Sequence, residues 1–253
     1  MAGPVVGVVV PTLGKRLNYL IQALMSIREA GDSFLCVVSP QPDELQTKID
    51  SKLYDRILPD PGRGLSAAID FGIRALPDFV KYVNWLGDDD LLVAGAITLA
   101  LSVIESDEDT SFVFGRCQYI DEQSNHLWLN KSGRWTTTLM RVGPQLVPQP
   151  GALISRGRYE EVGGLNHDLK WAFDLDLFLK LSRVGATAFI PATLAKFRWH
   201  DDSLSVGGRA GSVAEASAVR VAALPRQFRA VSVVWEKPLQ MLIRHSGRIL
   251  PYL

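Results

Sequence analysis

Val80-Lys81-Tyr82-Val83-Asn84-Trp85-Leu86 runs into Gly87-Asp88-Asp89-Asp90. A short apolar run, rich in β-branched and aromatic residues and closed by glycine and three acids, reads as a buried strand with carboxylates at its carboxyl end. In open α/β sheets that end of a strand borders the ligand crevice. Upstream the same grammar repeats. Val5 to Val10 reads as a strand buried on both faces, Leu17 to Ala30 as a crossover helix, Phe34 to Val38 as a second strand, and Asp43 to Asp50 as a short helix. Tyr54 to Leu58 reads as a third strand, and Ser66 to Leu76 as a helix after the Gly62-Arg63-Gly64 turn. A βαβαβ nucleotide-type unit thus covers about 1–100.

Downstream the pattern is less regular. Leu91 to Ile104 reads as one core helix, and Ser111 to Ile120 with His126 to Leu129 as a hairpin. Helices are expected at Tyr159 to Val162 and Trp171 to Val184, each ended by glycine, then a strand at Ala188 to Ile190. This gives a second half over 101–206. A glycine-rich link near 207–212 leads into a helical tail over 207–253.

The 253 residues suit one large domain, and 47% hydrophobic with 21% charged residues suits a globular one. Lys plus Arg and Asp plus Glu are 27 each, so no global basic field exists to hold nucleic acid. Cys36 and Cys117 are too few for a disulfide framework or a Cys-rich zinc site, although one disulfide stays open. The start has no basic segment followed by a long apolar one, and no apolar run reaches the length of a membrane span. A cytoplasmic protein is expected.

Three adjacent carboxylates at Asp88 to Asp90 suit either a solvated turn capping a helix or a hard divalent cation, Mg²⁺ or Mn²⁺. Asp174 and Asp176 are about 200° apart on a helix, so they cannot share one face. An Asp in a partly apolar cleft gains basicity suited to proton abstraction, whereas a helix-capping Asp does not. Phe197-Arg198-Trp199-His200-Asp201-Asp202-Ser203-Leu204-Ser205 is a polar cluster in which His200 reads either as a structural histidine or as a partner of Asp89. Neither a P-loop nor a GxGxxG is present.

In this order the pieces resemble an inverting nucleotide-sugar glycosyltransferase of family 2, with the GT-A fold. Val8 to Thr12 resembles its opening strand and Pro-Thr turn. Gly64, Ala68, Asp70 and Gly72 resemble its G-x-x-x-A-x-N-x-G helix, with Asp70 in place of Asn. Trp85 to Leu92 resembles the D-x-D strand. Gln149-Pro150, Tyr159 to Gly164 and Asp174 to Leu181 are similar to the acceptor-side stretch, and Arg198, His200, Ser203 and Ser205 to the closing R-x-H-x-x-S-x-S.

The resemblance implies a Rossmann-like, mostly parallel sheet flanked by helices, with an acceptor-side half and a helical tail. It implies Asp174 as catalytic base, with Asp176 the alternative. Pro11, Thr12, Arg16, Gly64, Ala68 and Asp88 would contact the nucleotide-sugar. Asp89, Asp90 and His200 would hold Mn²⁺ or Mg²⁺, although which of the three neighbouring acids binds metal stays open. Gln149 and Asp176 would face the acceptor. The expected partners are a nucleoside-diphosphate sugar and a saccharide or lipid-linked acceptor, in surface polysaccharide or glycoconjugate synthesis. Ser39-Pro40-Gln41-Pro42 stands where the family commonly has an acidic pair. A binding-only relative and a metal-dependent nucleotidyltransferase are the competing readings. Arg220, Arg226, Arg229, Lys237, Arg244 and Arg248, interleaved with apolar residues, suggest a tail that either touches anionic lipid at the inner face of the membrane or packs on the domain or in a homodimer.

Overall fold

A computed structural model of the chain describes residues 3–143, 145–200 and 209–229, together with 232, 234–236 and 238. Ser203, Ser205, Lys237, Arg244 and Arg248 lie outside these residues. The first strands and helices are β1 (Val6–Pro11), α1 (Leu17–Ala30), β2 (Phe34–Ser39), α2 (Pro42–Lys48), β3 (Arg56–Pro59), α3 (Leu65–Arg74) and β4 (Tyr82–Trp85). They follow the expected alternation within a few residues. Next come β5 (Leu91–Leu92), α4 (Ala96–Ile104), β6 (Thr110–Ile120), β7 (His126–Leu129), α5 (Thr136–Leu139), β8 (Ala152–Ser155), α6 (Arg156–Glu161), α7 (Phe173–Val184), β9 (Ala186–Arg198), α8 (Arg209–Ala223) and α9 (Arg226–Arg229).

The described strands form one sheet in the order β3-β2-β1-β4-β8-β6-β9-β5, with β7 added alongside β6. Pairing is parallel from β3 through β4 and between β6 and β9, and antiparallel where β8 joins β4 to β6. The central strand explains the layering. Val6, Val8 and Val10 enter a core with Leu20, Ile27 and Ile97 of α1 and α4, whereas Val9 enters a second core with Ile69 of α3 and Phe178 of α7. Alternation in a strand covered on both sides requires apolar residues at every position, as β1 supplies. Gly72 lets α3 approach this sheet. A Cβ there would stand 2.6 Å from Val9 Cγ1, too close for any larger residue without a backbone shift.

Two expectations change. The single helix over Leu91 to Ile104 is a short strand, a turn and then α4. Leu91 and Leu92 pair with Lys196 and Ala195 of β9, and Gly95 at φ 74° separates them from the helix. A continuous apolar run has no period that could reveal that break. The strand expected at Ala188 to Ile190 extends to Arg198, because the register shift between Phe114 and Arg116 absorbs Pro191 in a bulge. Cys36 and Cys117 are buried free thiols, so the disulfide left open by the sequence is not formed.

Candidate active site

β1 sits between β2 and β4, so the chain leaves it in one direction and returns on the other side. Such a switch in strand order opens a crevice at the carboxyl ends. Val9 lies opposite Trp85 across this gap, and Thr12 and Asp88 each follow three residues later. Thr12 Oγ1 accordingly donates to Asp88 Oδ2 at 2.5 Å and also accepts from the Gly14 N–H at 2.9 Å. Burial pushes the Asp88 carboxyl above its usual range, and the Thr12 hydrogen bond partly opposes that rise.

Asp89 forms the next contact. Its Oδ2 lies 3.1 Å from Arg16 Nη2 and 2.8 Å from His200 Nε2, while Arg16 Nη1 lies 2.7 Å from the same His200 nitrogen. His200 is almost fully buried, whereas Arg16 stands at the mouth of the crevice. One ring nitrogen cannot accept from a guanidinium and donate to a carboxylate in the same tautomer. With His200 neutral and protonated on Nδ1, Arg16 donates to both groups, and Asp89 and His200 would together hold a divalent cation that took its place. An oxygen and an imidazole nitrogen are donors suited to Mn²⁺, with Mg²⁺ normally completing its coordination from phosphates and water. Among the described residues, no group of three or more His, Cys, Asp or Glu side chains could hold a metal ion alone. The pair therefore fits a divalent ion only as a partial donor set.

Asp90 takes a different direction. It is buried, its Oδ1 accepts the Arg198 N–H at 2.9 Å, and desolvation beside Asp89 raises its carboxyl well above the ordinary value. Arg198 fastens the acidic turn to the end of β9. Its Nε donates to Asp89 O at 3.0 Å, Nη1 donates to the carbonyls of Asp121 and Glu122, and the guanidinium covers the Tyr19 ring at 4.4 Å. This residue places His200 two positions later beside Asp89. Its only sequence signal was its place in the closing R-x-H.

The residues expected on the acceptor side reach the same end of the sheet by another route. Gln149 Nε2 donates to Trp85 O at 2.7 Å, and Asn84 Nδ2 donates back to Pro150 O at 3.0 Å. Trp85 also meets Phe173, with ring centroids 6.5 Å apart, so the first turn of α7 lies beside the end of β4. Asp174 stands in that turn. Burial pushes its carboxyl up to about 6, opposed by the Leu175 N–H that its Oδ1 accepts at 2.7 Å and by the Gln145 side chain. Asp176 instead pairs with Lys180 at 2.7 Å, one turn along the helix.

Gly64 caps α3 at φ 96° with open space around it, and Ala68 is buried on that helix. Pro11 ends β1 directly before Thr12. Asp70 is enclosed by Arg74, Tyr159 and His167 and ties α3 to α6. The site thus gathers Thr12, Arg16, Asp88, Asp89 and His200 in one contact network. Trp85 connects that network's strand to Gln149 and to the helix bearing Asp174.

An uncharacterized glycosyltransferase of Rickettsia typhi is 26% identical over 145 residues, 54% of this chain and 45% of its own length. Another, of Rickettsia prowazekii, is 24% identical over 208 residues, 78% of this chain and 64% of its own length. The chain therefore spans about half to two thirds of these curated relatives. No family model matches it. Among solved structures, S. aureus TarS in complex with UDP-GlcNAc superposes with a TM-score of 0.66 at 12% identity, covering 90% of this chain and 69% of that one. The mannosyltransferase PcManGT of Pyrobaculum calidifontis, in complex with GDP-Man and Mn²⁺, gives 0.65 at 15% identity, covering 97% and 76%.

The fold is of the GT-A glycosyltransferase type. The α/β class and the helix-flanked sheet expected from the sequence are therefore present, but the sheet is not mostly parallel: β8 runs antiparallel to β4 and β6, β7 to β6 and β5 to β9. Among the described residues, no helix is long and apolar enough to cross a membrane.

Proposed function

We propose that this protein is an inverting glycosyltransferase that moves a sugar from a nucleoside-diphosphate sugar to an acceptor hydroxyl. The observation that supports it best is the junction of Arg16, Asp89 and His200 at the strand-order switch, with Asp174 on a neighbouring helix. Thr12, Asp88 and the open turn at Gly64 line the donor side, next to Pro11 and Ala68, and Arg16 brings positive charge toward the diphosphate. Asp89 and His200 would hold a divalent ion, which when bound stabilises negative charge developing on the leaving diphosphate. Asp90 holds the end of β9. Gln149 shapes the acceptor side.

Asp174 takes the proton of the acceptor hydroxyl as that oxygen bonds to the anomeric carbon. The bond from that carbon to the diphosphate oxygen breaks, and the diphosphate leaves with the electron pair. A carboxyl whose affinity for protons is raised by burial, yet which is mostly ionised at neutral pH, suits this role. Asp176 is already paired with Lys180 and suits a supporting place on the acceptor side. TarS with UDP-GlcNAc and PcManGT with GDP-Man make UDP- and GDP-sugars the donor classes to test first. The experiment is donor-dependent release of nucleoside diphosphate by the purified protein with saccharide and lipid-linked acceptors. Release of pyrophosphate from a nucleoside triphosphate and a sugar phosphate would replace this reading with nucleotidyl transfer. A saccharide product of retained configuration would remove the direct-displacement mechanism.

A further inference from the structure

The loop that delivers Asp174 is fastened from a distant part of the chain. The peptide N–H groups of Lys170, Trp171 and Ala172 all donate to the carboxylate of Glu215 on α8, at 2.9, 2.6 and 2.7 Å. These donors lower the Glu215 pKa, so the group is ionised at neutral pH. Ala172 is the residue before α7, and it makes no side-chain cap of its own. Glu215 thus supplies from another helix the negative cap that the α7 N-terminus lacks locally.

The docking of α8 has independent support. Gly211 faces Trp171 so closely that a Cβ would meet the indole at 2.6 Å. Val219 joins the apolar cluster that contains Leu177 and Leu181 of α7, and Arg183 of α7 donates to Ala223 O at the end of α8. Of the two placements the sequence left open for the tail arginines, Arg220 takes the packed one: it is buried against Glu236, with its Nη2 2.9 Å from Glu236 Oε2, and Ser217 donates to the same carboxylate. The first tail helix is therefore part of the folded domain.

We propose that Glu215 is a positioning residue for Asp174, acting through the backbone of 170–172. This inference rests on Asp174 being the base. The carboxylate of Glu215 fixes the three residues that immediately precede the first turn of α7. With that cap removed, the turn loosens, water reaches Asp174, and a nearby negative charge is lost. Both changes favour the ionised Asp174 and weaken it as a proton acceptor.

The test follows the ¹³C carboxyl titration of Asp174, assigned by its loss in Asp174→Asn, in the wild type, Glu215→Gln and Glu215→Ala. Transfer kinetics with UDP-GlcNAc or GDP-mannose, whichever is turned over, accompany it. The expected result is a titration midpoint lowered by half a unit or more in both variants. Turnover should fall about 10-fold in Glu215→Ala and less in Glu215→Gln, whose amide oxygen can still accept, with donor KM within two-fold. Gly211→Leu, which leaves Glu215 intact but forces α8 away from Trp171, should reproduce the lowered midpoint. An unmoved midpoint with unchanged turnover in the Glu215 variants would overturn the positioning role. Retained transfer in Asp174→Asn would instead remove the base assignment, a separate failure.

Discussion

Asp89 and Asp174 stand at the same end of the sheet, yet their surroundings prepare them for different work. Asp89 has Arg16 and His200 within 3.1 Å, so its charge is matched by the guanidinium on the turn before α1 and its Oδ2 meets the imidazole that follows β9. Among the described residues, Asp174 makes no ion pair. Apolar burial raises its pKa to about 6, and a helix from the far end of the chain holds the loop before it. The difference teaches that the acidic turn matches charge with neighbouring side chains, whereas burial in the α7 turn raises a carboxyl's affinity for protons, as the base we propose requires. The first depends on cations and the second on exclusion of water.

The largest expected effect lies on the proton-accepting side. Asp174→Asn should lower sugar transfer by about 10²–10⁴-fold while leaving nucleoside-diphosphate affinity within two-fold, measured by turnover and calorimetry. The same change should stabilise the fold. The native Asp174 pKa is raised above its unfolded value, so the folded state binds the extra proton. Stability is therefore lost as pH rises from about 4 through 6, and Asn escapes that loss. Thermal or urea unfolding should show Asp174→Asn more stable by about 1–3 kcal/mol at pH 7.5, with the gap vanishing near pH 3.5.

On the charge-holding side, Asp89→Ala should abolish the gain in nucleotide affinity that Mn²⁺ confers, an effect of about 10-fold or more. Asp90→Asn sharpens the contrast between neighbours. Its amide oxygen can still accept the Arg198 N–H, so nucleotide affinity should change by less than about three-fold, within ~1 kcal/mol. Equal losses at Asp89 and Asp90 would mean that both contribute to the cation site. The smallest effect is the pH dependence of turnover in the enzyme with donor bound. Its acid limb should fall near pH 6, with activity declining below that value as Asp174 becomes protonated.

The two regions also differ in how much of them the sequence displays. Val6 to Val10 and Tyr82 to Trp85 carry their burial in composition, and the register between them brings Thr12 to Asp88 without help from distant segments. The contact between Thr12 and Asp88 was therefore legible from two short stretches. His200 beside Asp89 was legible only through the order of motifs, because its placement depends on the long β9 and on Arg198, whose binding to carbonyls leaves no periodic trace. Pro191 hid most of β9, since a proline inside a strand requires the bulge that only its pairing with β6 reveals. Glu215 left no local signal. It is an ordinary acid on an amphipathic helix, and its role arises from the packing of α8 on α7 over some forty residues of separation. Hydrophobic period reports which face is buried, but not which partner covers it.

The central claim is that the junction of Arg16, Asp89 and His200 is a cation and diphosphate site. Calorimetric titration of the wild type and Asp89→Ala with UDP, dTDP and GDP, each with and without Mn²⁺, tests it most directly. Tight binding of one nucleoside diphosphate that requires both Mn²⁺ and Asp89 is the predicted result and would identify the donor class. Binding that is indifferent to Mn²⁺ and to Asp89, or no binding of any of the three, would contradict it.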